Sequence, residues 1–381
     1  MLKLAPMPLM REGSGGGGSS AGGREMCGRH TSPGERRGEC MRFGIGGYAL
    51  ERVETHGAAV VGREMRADAT LADDLGFDSL WVAENHFSTD RQCSSPFVIA
   101  GVLAGATQRI KLGVFAILTF AHPLRLAEDA ATLDLLSGGR LMLCFGTGYR
   151  PEEFAAFGVA MDGKGARFRE CLDVIQKAWA GPFTHHGKHF HIPQNAENSS
   201  APATLVTVLP RPLQPSIPLW MAAFGKVGVK RAARLGYPLL PAPLESIPEL
   251  QAKYGLYHET WREAGRTAAP AEMPLMRVVY VAPQAHTAHR EAEAGLMQTY
   301  GRYRRWGLLT NAGADYTVLA RDRFIIGDPA QVIDEIQRYR DLFGITYLIC
   351  RMAMPAVPHD QITRSMRLFG ERVAPHFRHE G

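Results

Sequence analysis

Asp78-Ser79-Leu80-Trp81-Val82-Ala83 runs without a break into Glu84-Asn85-His86-Phe87. The first part reads as a short strand, apolar nearly throughout. A run with no polar alternation is the pattern of a strand covered on both faces, as in a parallel sheet. The polar residues that follow stand at the end of that strand.

Seven further runs share the pattern. The candidate strands are 42–48, 78–84, 110–118, 140–146, 218–224, 237–242, 275–281 and 346–352. Helical segments with recognisable ends lie between them. His122-Pro123 opens one, with proline at an early position where its missing N–H costs nothing. Ser246-Ile247-Pro248-Glu249 reads as a capping box, and Asp328-Pro329 as an N-cap with an N1 proline before a helix that Gly344 ends. Eight βα units over roughly 300 residues favour a closed (β/α)8 TIM barrel over an open doubly wound sheet. No G-x-G-x-x-G fingerprint follows the first strand, which counts against a dinucleotide fold. Two stretches, 181–216 and 306–325, read as long loops over the barrel mouth.

The barrel occupies 41–378. Residues 1–40 are rich in Gly, Ser and Arg, including Gly15-Gly16-Gly17-Gly18-Ser19-Ser20, and are expected to be a disordered extension. Met41 leads straight into the first strand, so it is the expected true start. The chain has 381 residues, is 45% hydrophobic and 21% charged, and carries a formal net charge of +5. That balance, with no basic stripe, points away from nucleic acid. No apolar run reaches the length of a membrane span. Six scattered cysteines without a C-x-x-C pair suggest neither a zinc site nor a disulfide framework, and fit a cytoplasmic protein. His185-His186-Gly187-Lys188-His189-Phe190-His191 suits a small hairpin better than a metal site, so no metal is expected.

In such a barrel the chemistry sits where strands end and helices begin. Glu84, Asn85 and His86 are therefore the catalytic candidates, with His86 able to exchange a proton near neutral pH. After the fourth strand, Gly146-Thr147-Gly148-Tyr149 lets backbone approach a ligand closely. After the fifth, Gly225-Lys226-Val227-Gly228 is a glycine turn into a helix N-terminus, a place suited to a phosphate.

Met41-Arg42-Phe43-Gly44, Gly76-Phe77-Asp78-Ser79-Leu80-Trp81, Glu84-Asn85-His86-Phe87, Ala121-His122-Pro123, Asp134-Leu135-Leu136-Ser137-Gly138-Gly139-Arg140, Gly327-Asp328-Pro329 and Gly344-Ile345-Thr346-Tyr347-Leu348 follow one another along the chain. In this order they resemble the bacterial luciferase-like monooxygenase family. The resemblance implies a barrel, commonly a homodimer, that uses reduced FMN supplied by a separate flavin reductase. Oxygen would add to the flavin as a C4a-peroxide and oxidise a small or medium organic substrate. F420-dependent hydride transfer on the same barrel is the alternative, and a non-catalytic partner subunit is a third.

Luciferases carry Glu-His-His-Phe at the second strand, and Asn85 stands in place of the first His. Light-emitting aldehyde oxidation is accordingly not expected, and His86 becomes the candidate base. The resemblance also implies a non-proline cis peptide at Phe115-Ala116 against the flavin ring. It places the flavin phosphate near Arg167, Thr147, Gly225, Lys226 and Gly228. Thr147 stands where luciferases have an arginine, and Phe224-Gly225 where they have Glu-Ser.

Overall fold

A computed structural model describes residues 40–48, 57–88, 93–193, 205–309 and 315–378. The expected disorder of residues 1–40 falls, Cys40 apart, outside the described residues. The strands form where the apolar runs predict them: β1 (Arg42–Tyr48), β2 (Ser79–Ala83), β3 (Lys111–Ile117) and β4 (Leu141–Gly146). A two-stranded hairpin, β5 (His185–His186) and β6 (His191–Ile192), lies in the first long loop, as the histidine-rich patch predicts. Then come β7 (Leu219–Ala223), β8 (Leu239–Pro241), β9 (Pro274–Val281), β10 (Phe324–Gly327) and β11 (Tyr347–Arg351). All pairings in the main sheet are parallel, in the order β10-β9-β11-β1-β2-β3-β4-β7-β8. The sheet curls so that β8 lies alongside β9, giving the β/α barrel.

Among the described residues the sheet has nine strands rather than eight. The extra strand, β10, pairs Phe324–Gly327 with Val278–Val281 of β9. It follows a helix, Tyr316–Arg323, within the stretch read as an unstructured loop. A four-residue apolar run beside Gly327-Asp328-Pro329 gives little periodic signal. Its fold is set instead by backbone groups at the upper half of β9, which need partners.

Side chains alternate across the pleat. One set faces the barrel axis: Trp81, Met142, Cys144, Trp220, Leu240, Met276, Tyr347 and Ile349 form a single buried cluster, with Phe115 and Ala222 packed on it. The other set packs under the outer helices. Inside the barrel, Trp81 stacks on Trp220 at 4.7 Å between ring centroids, and Trp220 meets Tyr347 edge-on at 4.9 Å. The Ser79 hydroxyl accepts from both the Trp81 indole and the Tyr347 hydroxyl, each at 2.7 Å. The Trp220 indole donates to Glu272, so the polar edges of all three rings are satisfied.

Room for the Trp81 ring comes from Gly113, where an added Cβ would stand 2.0 Å from the indole Cδ2. Gly113→Ala is expected to destabilise the fold by about 1–3 kcal/mol through overpacking. Pairing it with Trp81→Leu should recover part of that loss, because the smaller side chain vacates the space. Urea unfolding of the two single variants and the double variant measures this; strictly additive losses would refute the contact.

Asp73 ties the helix Ala58–Asp74 (α1) to the start of β3. Its carboxylate accepts from the amides of Gln108 (2.6 Å) and Ile110 (2.9 Å) and from Arg109. Burial pushes the carboxyl pKa up, but these three amides and the Arg109 charge outweigh it and hold it below its ordinary value. A lowered pKa means stabilisation that is full above the unfolded value, about 3.9, and is lost as pH falls through the folded value. Asp73→Asn should therefore cost about 1–3 kcal/mol at neutral pH. The gap from the parent should close on acidification, as read by urea unfolding across the acid range.

Candidate active site

The strand ends surround a cavity of about 690 Å³. Its wall takes Glu84 and Asn85 from the end of β2, Phe115, Ala116 and Ile117 from β3, and Gly146 through Tyr149 after β4. Gly225 and Gly228 contribute from the turn after β7, and Met276 and Arg351 from β9 and β11.

Glu84 fastens this rim. Its backbone N–H donates to the Phe115 carbonyl at 3.2 Å. One carboxylate oxygen accepts from the Ile117 amide at 2.6 Å, and the other meets the His86 ring Nε2 at 2.7 Å. Asn85 is held on both sides by backbone bonds to Cys93, and its side-chain amide donates to the Glu84 carbonyl at 2.7 Å. His86 is buried but does not form part of the cavity wall. Its amide donates to Glu153 at 3.0 Å, Arg150 donates to its carbonyl at 2.7 Å, and its ring packs edge-on against Phe157 at 4.7 Å. Burial is the larger influence on Glu153 and raises its pKa, against the pull of that amide and Arg150. Of the three catalytic candidates, the fold thus brings Glu84 and Asn85 to the cavity and sets His86 behind them.

The Phe115–Ala116 peptide is trans; the cis bonds among the described residues are Ile192–Pro193 and Leu209–Pro210. Both residues stay in an unbroken ladder, Phe115 opposite Cys144 and Ala116 opposite Phe145, which the trans backbone of the strand continues without interruption. Both residues line the cavity all the same, Phe115 with the side chain that packs on the axial cluster.

Two helix N-termini bound the far end: α5 (Lys164–Ala180), capped by Gly163, and α6 (Lys226–Leu235), capped by Gly225. Neither has a side-chain cap, so backbone N–H groups and the positive end of each dipole face that region. Lys164, Arg169 and Arg231 line it. Burial lowers the pKa of Lys164, and the neighbouring Arg231 charge lowers it further; Arg231 is lowered by burial and then by Arg169. Three cations crowd one another at this end. The Arg231 Nε is buried with no hydrogen-bond partner among the described residues. Gly165 makes space for it: a Cβ there would lie 2.4 Å from the Arg231 Nη2.

Lys226 is exposed and lies outside the wall. Arg167 lies outside it too, donating to the Thr119 carbonyl at 2.9 Å and stacking on Phe190 at 4.6 Å. Sequence reading reached Gly225, Gly228 and Thr147 but missed Lys164, Arg169 and Arg231. The available signal was Gly163-Lys164-Gly165, a second glycine-framed helix start. Lys253 steadies the turn after β7. Paired with Glu245, it donates to the carbonyls of Ala223 (2.9 Å) and Phe224 (2.8 Å).

Residues 41–345 match the model of the luciferase-like monooxygenases. The chain belongs to this family. It is 27% identical over 301 residues to the oxygenase component of a flavin-dependent trigonelline monooxygenase from Acinetobacter baylyi, covering 72% of this chain and 79% of the relative. Among solved structures, the monooxygenase RslO1 from Streptomyces bottropensis superposes with a TM-score of 0.76 at 27% identity, over 88% of this chain and all of that one. The oxygenating constituent of 3,6-diketocamphane monooxygenase from Pseudomonas putida, in complex with FMN, shares the fold at a TM-score of 0.74 and 22% identity, covering 88% and 98%. The fold also recurs in an F420-dependent tetrahydromethanopterin reductase from Methanopyrus kandleri, at a TM-score of 0.65 and 21% identity, covering 88% and 99%.

The cation cluster makes a direct forecast. Arg231→Gln should weaken the binding of a phosphate-bearing ligand at this end of the cavity at least about tenfold, the loss of one charge-assisted contact. Lys226→Gln, altering an exposed side chain, should change it little. Equal effects in a fluorescence titration with FMN as the probe would refute an anion site at this cluster.

Proposed function

We propose that this chain is the oxygenase of a two-component, FMN-dependent monooxygenase that oxidises a small or medium organic molecule. The observation that carries the reading is the polarity of the cavity. One end gathers Lys164, Arg169, Arg231 and two uncapped helix N-termini; the other is the aromatic and small-residue mouth of the barrel. A phosphate-tailed, flat ring system fits both ends. Arg231, Lys164, Arg169 and the backbone that follows Gly225 would hold the phosphate; the Gly228 amide is taken by the Gly225 carbonyl. Gly146, where an added Cβ would meet nothing within 4 Å, leaves room for the ring. Reduced flavin, when bound, supplies the electrons that activate oxygen.

The protein's own groups do the rest. Phe115 and Tyr149 restrict water at the mouth. Asn85 lines the cavity as a hydrogen-bonding group that does not exchange a proton. Glu84 locks the β2 and β3 ends together, and His86 acts through Glu84 as a positioning residue. Supporting this assignment, the His86 ring meets the Glu84 carboxylate from outside the wall.

The test is anaerobic titration with reduced FMN and, separately, reduced F420, each followed by an oxygen pulse. Tight reduced-FMN binding and a transient absorbance distinct from both reduced and oxidised flavin are expected, with a flavin reductase sustaining turnover. Tight F420 binding without reaction with oxygen would replace this reading with hydride transfer. Binding of neither would favour a partner-subunit role.

We also infer a homodimer through the helix Pro96–Ala106 (α2). Its sequence, PFVIAGVLAGA, is apolar all round, yet Val98 is 67% and Val102 50% exposed. An apolar helix face left in water marks a contact surface. Val98→Asp with Val102→Asp should convert a dimer to monomer in sedimentation velocity. A parent chain already monomeric would refute it.

A further inference from the structure

The apolar mouth of the cavity contains a charge that the phosphate site does not use. Along β11, Tyr347 and Ile349 face the barrel axis. Arg351, two residues on, shares their face by strand alternation. It is the last residue of the strand, 3% exposed, and lines the cavity. Its Nη1 donates to the Tyr303 hydroxyl at 2.6 Å. Met276 and Trp306 form apolar wall beside it. This region belongs to a different arm of the sheet from the phosphate end. Strand β11 stands between β9 and β1, whereas β7, which leads to Arg231, stands between β4 and β8.

We propose that Arg351, with the Tyr303 hydroxyl beside it, anchors a carboxylate on the organic substrate. The inference deepens the monooxygenase reading by naming a substrate class, and rests on it: a compact apolar or aromatic acid. A guanidinium presents N–H groups in a planar fork that matches a carboxylate, and it stays charged at every working pH. Held in a buried wall, that charge discriminates strongly between an acid and its neutral amide, because a neutral ligand returns little for the water it displaces. The apolar side chains on either side suit the body of the molecule, and the Arg351 charge sets which end enters first. Tyr303 adds a hydroxyl that can turn toward the same oxygen atoms.

The probes are benzoate and benzamide, equal in shape and different in charge. Each is titrated anaerobically into the protein with and without reduced FMN, with tryptophan fluorescence as the readout. Benzoate should bind at least about tenfold more tightly than benzamide. Arg351→Gln should erase that preference while leaving reduced-FMN affinity intact, which also reports a folded barrel. Arg351→Lys should retain part of the preference, and Tyr303→Phe should lower benzoate affinity with the charge still present. Arg231→Gln should do the reverse of Arg351→Gln, weakening FMN and sparing benzoate. The proposal is overturned if benzamide binds as well as benzoate, if neither saturates, or if the preference survives in the glutamine variant or vanishes in Arg231→Gln. Should reduced FMN fail to bind while the Arg351-dependent preference persists in the free protein, the flavin reading falls and the anchor stands.

Discussion

The stacked pair of Trp81 and Trp220 inside the barrel governs what the rest of the molecule can do. A closed parallel barrel has an interior that must be filled to crystal-like density, and two indoles fill much of it at one level. Each aromatic ring of this size removes 150–250 Å² from water, so burying the pair supplies on the order of 8–12 kcal/mol of transfer free energy as an upper bound. The geometry leaves no alternative place for them. Gly113 and Gly44 lack the side chains that would collide with the Trp81 ring, and Ser79 ties the indole to Tyr347 across the interior. With the lower barrel packed solid, polar chemistry is confined to the last inward residue of each strand and to the turns above it.

That confinement explains the electrostatic character of the cavity. Three acidic groups near the rim are committed to structure: Glu84 to the Ile117 amide and His86, Glu153 to Arg150 and the His86 backbone, Glu245 to Lys253; Asp162 also lines the cavity, beside Gly163. Cations instead face inward at Lys164, Arg169, Arg231 and Arg351. The result is a wall in which cations outnumber carboxylates, four against Glu84 and Asp162. The burial that lowers the pKa values of Lys164 and Arg231 has the same origin. A bound anion would relieve the crowding, since opposite charge favours the protonated forms that like charge and desolvation disfavour.

The barrel was legible because each strand is buried on both faces and so leaves a nearly unbroken apolar run. Helix starts were legible where a local hydrogen bond closes on itself: Ser246 with Glu249, and Asp328 accepting from the Gln331 amide. The tenth strand was not, because Phe324-Ile325-Ile326-Gly327 becomes a strand only when β9 offers its free edge. The cation cluster escaped for a related reason. Lys164, Arg169 and Arg231 come from two helices separated by the hairpin and β7, and local spacing cannot show that their ends converge. Lys226 and Arg167 had the right charge in the right stretch but point to solvent and to Thr119 respectively.

His86 illustrates the same limit on a finer scale. Residues 84, 85 and 86 follow the strand directly, and a motif read linearly makes all three equivalent. Once the chain leaves the pleat, consecutive side chains no longer alternate between two faces, and the turn decides where each one goes. Asn85 is pinned by its two-way pairing with Cys93, which holds it at the wall; His86 is drawn back by Glu153 and Arg150 acting on its own amide and carbonyl. Asn85 therefore lines the cavity, while the His86 ring stays behind the wall against Glu84.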